Sequence, residues 1–522
     1  MKKILLWTLA LMMGGTSYAE DITIRYNGAS AKVEQTRKDS VKVTVKGAKV
    51  NIESLYEDHK LTLLLKGKSD NGQLTLKTAG KAKVTLDGLS LTSQEGAPLD
   101  LRNKKKVTVV AAKGTENTLA ITACNDTVNN KAAVIWAKDK LQLSGKGTLN
   151  IIATGDGCRG IKTKKDIFIE ELTLNVTTSG DNLGEKPFGF GDFGGFEMPE
   201  GGFPNFPDSM PGFGGGFPGG GFPGFPGGGM PNFGGMPPFG NDSTMQGGFP
   251  GMPNFGGGMP DFGGGFPGFG ERDENDSIEG GFGGGFGGKH KYIASTKGIA
   301  SKGKITIDSG KITVRTTTAG AEGIEGKEGI VFNGGTTDVM TTDDAINANA
   351  CIEFNGGTVI ARSKGNDAVD SNPKGGFFMP FGNNQNEEQD PAIIIRGGKV
   401  FAWSEVGSPE EGLDCDFAPL VVEGGSVFTV GGGMGEMPSV PTNATAKQPT
   451  IVLIGLNIAK EEPIEIYEGN KLIDTVKVPF NMRRSASLVT NPAFKVGNTY
   501  TVKTKGYEKT FSISENFTSV RN

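Results

Sequence analysis

From about residue 130 to about residue 430, apolar and polar residues alternate in short runs, and the arrangement recurs every ~22–26 residues. The clearest copy has Ile324, then Ile330-Val331-Phe332, the turn Asn333-Gly334-Gly335, and Thr337 with Val339. The next has Ile346, Ile352-Glu353-Phe354, Asn355-Gly356-Gly357, Val359 and Ala361. Val369, Ile393, Ile395, Gly397-Gly398, Val400 and Ala402 follow, interrupted by a polar insertion at about 373–391. Leu413, Leu420, Val422, Gly424-Gly425, Val427 and Thr429 extend the series. Upstream copies run through Ile299, Ile305 and Ile312, through Ile161, Ile167 and Leu174, and through Ile135, Leu141 and Leu149, with an earlier one at Leu101, Val107 and Val109. That makes about eight coils.

Period-two runs rich in Ile, Val and Thr predict strands, and the Gly pairs supply the positive φ at which one strand bends into the next. A repeat this short cannot bury its own apolar face, so stacked copies must share one core. The predicted class is all-β: a right-handed parallel β-helix, or β-solenoid. A propeller needs blades of roughly 40 residues or more, with antiparallel strands. The coils divide into an N-terminal part at 20–181 and a C-terminal part at 291–435, separated by a Gly, Phe, Pro and Met mixture at 182–290. Such density of Pro and Gly predicts a disordered insertion, which a solenoid tolerates because closure entropy grows slowly with loop length. Residues 450–522 change character and predict a small antiparallel β cap over the last coil, with strands at Thr450–Leu456, Ile464–Tyr467, Thr499–Thr504 and Thr510–Ser514.

Residues 1–19 read as a signal peptide: Lys2 and Lys3, the apolar stretch Ile4 to Met13, then Ser17-Tyr18-Ala19 as the cleavage site. The expectation is an exported protein, periplasmic, secreted or at the cell surface, with no membrane span. A net charge of −4 offers no broad basic surface and argues against nucleic acid. Cys124, Cys158, Cys351 and Cys415 lack metal-ligand spacing and are read as small buried side chains, although an exported protein could pair them. His59 and His290 are the only imidazoles, which sets aside histidine triads and histidine zinc sites.

The run Leu86-Asp87-Gly88-Leu89-Ser90-Leu91, then Gly114-Thr115-Glu116-Asn117-Thr118-Leu119 and Leu143-Ser144-Gly145-Lys146-Gly147-Thr148-Leu149, resembles the carbohydrate-binding β-helix family of cell-surface proteins from cellulose-degrading clostridia. The later Gly-Ile, Asp-x-Ile and Gly-Gly repeats and the closing Gly497-Asn498-Thr499-Tyr500-Thr501-Val502 are similar to the same family. The resemblance covers about residues 80–180 and 290–510. It implies a pectate-lyase-like fold, binding of cellulose-like and pectin-like polysaccharide with calcium, and no established catalysis. Arg159 precedes the coil at Ile161 where the family has an acid, so calcium is not expected there.

Aligning the coils isolates two columns. Glu322, Asp344, Asp367 and Glu411 stand two residues before the first apolar position, and Glu325, Asn347, Asp370 and Asp414 one residue after it. Equivalent residues of stacked coils lie ~4.8 Å apart, close enough for carboxylates to repel unless a cation sits between them. Hard oxygen ligands suit Ca²⁺, with Asp343-Asp344 and Asp367-x-x-Asp370 as the core of the candidate site; a solvated acidic edge is the plainer alternative. The second column lies beyond the Gly turn, where Phe401, Trp403 and Phe428 beside Arg315 and Arg362 are expected to point outward as a sugar-binding strip, unless the 373–391 insertion folds over it. The leading expectation is a non-catalytic polysaccharide-binding protein. A calcium-dependent pectate-lyase-like enzyme, with Arg315 or Arg362 as base, and a structural surface protein or adhesin are the alternatives.

Overall fold

The computed structural model describes residues 20–36, 40–123, 132–186, 291–373, 390–415, 418–433 and 438–521. The signal segment 1–19, residues 187–290 of the predicted insertion, residues 374–389 of the polar insertion and Cys124 lie outside them.

Each repeat of the sequence becomes a coil of three short strands. The coil at Ile324 consists of Glu322–Gly326, Ile330–Phe332 and Thr336–Thr341, and the next of Ile346–Ala348, Ile352–Phe354 and Thr358–Ser363. Equivalent strands pair in parallel and in register, as Ile324 with Ile346, Ile330 with Ile352 and Thr337 with Val359. The first strands of the coils build an eleven-stranded sheet; the second and third strands belong to a twenty-three-stranded sheet whose two ladders are joined by the long strand Ala82–Ser93. Among the described residues there is no helix, and the architecture is all-β and β-solenoid-like, without a sheet closed on itself.

Inward positions form one continuous core. Ile135, Ile161, Ile299, Ile324 and Ile346 stack in one fully buried column, and Phe332 lies flat on Phe354 with ring centroids 5.2 Å apart. Each such burial stabilises by about 1.5–3 kcal/mol relative to exposure. Gly335, Gly357, Gly398 and Gly425 take φ between +75° and +89° at equivalent corners, which is why the Gly pairs recur.

Upstream of the copy at Leu101, within the N-terminal part expected at 20–181, Lys49–Ser54 and Gln73–Thr78 are already in the eleven-stranded sheet. Leu183–Lys186, at the start of the predicted insertion, runs antiparallel to Lys291–Ala294, just beyond it. The C-terminal segment is richer than expected. Lys471–Lys477, Met482–Thr490 and Phe517–Arg521 are additional strands, and Thr450–Ile458 pairs in parallel with Phe517–Arg521, so the cap is not purely antiparallel. Met482–Thr490 pairs with the last coil, Val427 opposite Thr490 and Phe428 opposite Val489.

Candidate functional site

The acidic column is in register: Glu325 lies beside Asn347, Asn347 beside Asp370 and Asp370 beside Asp414 on the eleven-stranded sheet. It is not a solvated edge. Asp344, Asp367, Asp370, Glu325 and Glu411 are all buried. At its N-terminal end the column is neutralised by lysine: Lys297 Nζ lies 3.2 Å from Glu322 and 2.6 Å from Glu325, and Lys327 Nζ lies 2.5 Å from Glu325. Burial holds the Glu322 carboxyl above its ordinary range in spite of Lys297.

Further along, amides take over. Asn347 Nδ2 donates to Asp344 at 2.9 Å and to Asp370 at 3.0 Å, and Asn372 Nδ2 donates to both Asp370 oxygens at 2.8 and 2.9 Å. Asp367 Oδ1 accepts the backbone N–H of Glu411 at 2.5 Å, and Glu411 accepts the backbone N–H of Ser439 at 2.6 Å. Burial, then the neighbouring Asp414 and Asp370, push the Asp367 carboxyl well above the usual carboxylate range. Asp343 turns to Asn366, whose Nδ2 donates to it at 2.9 Å. The charged neighbours of Asp367 are the carboxyl groups of Asp370, Asp414 and Glu410, a group type that suits a hard cation. Among the described residues, however, no three His, Cys, Asp or Glu side chains converge as metal ligands.

The aromatic strip is a correction. Trp403 is 8% exposed and Phe428 2%, packed with Ile451, Leu453, Phe480 and Val489 in the core of the C-terminal cap; Phe401 packs against the same cluster. These residues do point away from the solenoid core, as the alternation requires, but they share a buried cluster with Ile464, Ile466, Val476, Phe480 and Tyr500 of the cap. The arginines are engaged as well. Arg315 pairs with Asp338 at 2.7 Å and donates to the carbonyls of Val314 and Asp338, while Arg362 pairs with Glu405 at 2.5 Å and sits 5.3 Å over the Phe480 ring. Both lie on a different sheet from the acidic column. Cys158 and Cys415 are buried and Cys351 is half-buried, its thiol pushed up to about 11 by burial.

An open groove of about 690 Å³ lies on the outer face of the eleven-stranded sheet in its N-terminal half, lined by Lys49, Lys77, Arg102, Lys138 and Lys164 with Trp136 in its floor. Trp136 is 4% exposed. No residue of this groove was singled out by the repeat alignment, which followed carboxylates in the C-terminal coils. The signal was present: an apolar residue followed three positions later by a cation, at Leu74/Lys77, Leu99/Arg102, Ile135/Lys138, Ile161/Lys164, Ile299/Lys302 and Ile324/Lys327.

Residues 46–186 and 271–368 match a family model described as carbohydrate-binding domain-containing protein. The coils resemble a carbohydrate-binding domain family. A curated carbohydrate-binding domain-containing protein of Acetivibrio thermocellus is 27% identical over 152 residues, 28% of this chain and 50% of the relative. The chain thus spans about half the length of that relative. A solved polysaccharide lyase-like protein from C. thermocellum, in a gadolinium derivative, aligns over 67% of this chain and 92% of its own at 16% identity and a TM-score of 0.37, too low a score to argue from. Of the groove residues named above, all fall within the first matched segment.

Proposed function

We propose that the protein is an exported, non-catalytic polysaccharide-binding protein, with the N-terminal groove around Trp136 as its binding surface. The observation that carries this reading is the coincidence of the carbohydrate-binding match at 46–186 with the groove. Export is supported by the charged, apolar and small-residue pattern of residues 1–19. A right-handed coil is the reading in keeping with parallel β connections in general.

Calcium is proposed as a structural partner of the acidic column, at Asp367, Asp370 and Asp414, with Asp343, Asp344, Glu322 and Glu411 around them. Its support is the crowding of the Asp370 and Asp414 carboxylates around the buried Asp367. A bound Ca²⁺ would supply charge neutralisation; the chain's own amides from Asn347 and Asn372 orient the carboxylates. The test is a polysaccharide array probed with the mature protein, with and without chelator. Polysaccharide retention is expected in both arms, with thermal stability lower in chelator. Absence of retention on every polysaccharide would overturn the binding role.

A further inference from the structure

The cations of the groove belong to a longer row. Lys77 lies beside Arg102 in the sheet register. Lys138 donates its backbone N–H to Leu101 at 2.9 Å, Lys164 to Ala137 at 3.1 Å, Lys302 to Thr163 at 3.1 Å and Lys327 to Ser301 at 3.0 Å. Each of these bonds sets one cation beside the cation of the preceding coil. Lys77, Arg102, Lys138, Lys164, Lys302 and Lys327 therefore stand in a single file across six consecutive coils, at a pitch of ~4.8 Å.

The ends of the file are compensated and its middle is not. Lys77 is 3.8 Å from Glu53, Arg102 pairs with Asp100 at 2.7 Å, and Lys327 pairs with Glu325. Lys138, Lys164 and Lys302 are exposed and make no ion pair among the described residues. Neighbouring ammonium groups at that pitch repel by roughly 1 kcal/mol even in water. Nothing in the fold requires such a file; solvent-exposed positions of a sheet accept either sign or none.

We infer that this file is the recognition element for an anionic polysaccharide, one carrying a carboxylate or sulfate at regular intervals, laid across the strands along the stack of coils. The inference rests on the polysaccharide-binding reading and adds the residues that would meet the acidic groups of its ligand. A single file with a pitch on the order of one sugar residue fits a slender linear polyanion. A duplex needs a broad basic face, which a chain of net charge −4 lacks, and single-stranded nucleic acid needs exposed aromatic faces, whereas Trp136 is 4% exposed.

The experiment is affinity electrophoresis of the mature chain in gels containing polygalacturonate, sulfated dextran, neutral dextran or hydroxyethyl cellulose, all in excess chelator so that calcium bridging plays no part. The triple substitution Lys138→Gln, Lys164→Gln, Lys302→Gln is compared with Lys399→Gln, Lys471→Gln, Lys477→Gln, with melting temperatures to show that both fold. The expected result is retention by at least one anionic polymer that weakens with added salt, is lost about tenfold or more in the first triple variant, and is unchanged in the second. Equal retention of the first triple variant would overturn the inference, as would tighter retention by a single-stranded polynucleotide. Retention by neutral polymers alone would overturn the charge class while leaving polysaccharide binding standing; retention by none would overturn both.

Discussion

The two halves of the eleven-stranded sheet share a backbone register and carry opposite charge. In the N-terminal half the cations Lys138, Lys164 and Lys302 are exposed, three residues after the first inward position. In the C-terminal half the acids Asp344, Asp367, Asp370 and Glu411 are buried, two residues before or one after it. Exposed charge retains its hydration and is free to meet a ligand; buried charge is tolerated only with partners, so the acidic half is an internal polar network first. The halves meet where Lys297 faces Glu322 and Glu325. One fold thus carries an exposed basic file and a buried acidic network by shifting charges a few positions along each coil.

The sharpest way to break this comparison is at the junction. Lys297→Met leaves Glu322 without its cation and the buried Glu325 with Lys327 alone, and is expected to lower stability by about 3 kcal/mol in urea unfolding, with partial recovery when combined with Glu325→Gln. A loss below 1 kcal/mol would mean that the junction is solvated.

Trp403→Ala separates the aromatic cluster from ligand binding. It is expected to cost about 3–5 kcal/mol by emptying the cap core while polysaccharide retention by the folded fraction stays unchanged. Loss of retention at full stability would restore Trp403 as a sugar contact.

The acidic half should also show itself in pH. Because the folded-state pKa of Asp367 is raised, the folded chain binds more protons than the unfolded chain, so stability is greatest below the ordinary aspartate range and falls as pH rises through the raised value. In chelator the melting temperature should therefore decline from pH 4 toward neutrality by way of this group. Asp367→Asn should flatten that decline, and saturating calcium should oppose it, by about 2.7 kcal/mol at a hundredfold excess over Kd. A melting temperature indifferent to calcium would remove the metal from the account.

The smallest effect is expected at a surface pair outside both halves. Arg396 meets Glu353 at 2.5 Å and Glu423 at 3.2 Å with its side chain 39% exposed, so Arg396→Ala should cost less than about 1 kcal/mol and leave retention intact.

The coils were legible because Ile, Val and Leu at every second position can only face a shared core, and the positive-φ Gly corners repeat with them. The same alignment brought Glu325, Asn347, Asp370 and Asp414 into one column, since parallel register preserves sequence offset. What alignment could not deliver was which outward positions stay outward. Trp403 and Phe428 are outward from the solenoid yet buried, because apolar residues of the cap (Ile464, Ile466, Val476, Phe480 and Tyr500) join them in one cluster, and no periodicity within the coils announces a contact with a segment so far along the chain. The cationic file was missed for a different reason: lysines and arginines at or just past the end of a strand look like ordinary solubilising charge until the register stacks them.

The most direct test of the central claim, that the basic half binds polysaccharide and the acidic half does not, is lysine acetylation footprinting by mass spectrometry on the mature chain, with and without polygalacturonate. The account predicts slowed acetylation at Lys138, Lys164 and Lys302, with Lys399 and Lys471 unchanged. Unchanged rates along the basic file, or protection confined to the C-terminal coils and cap, would contradict it.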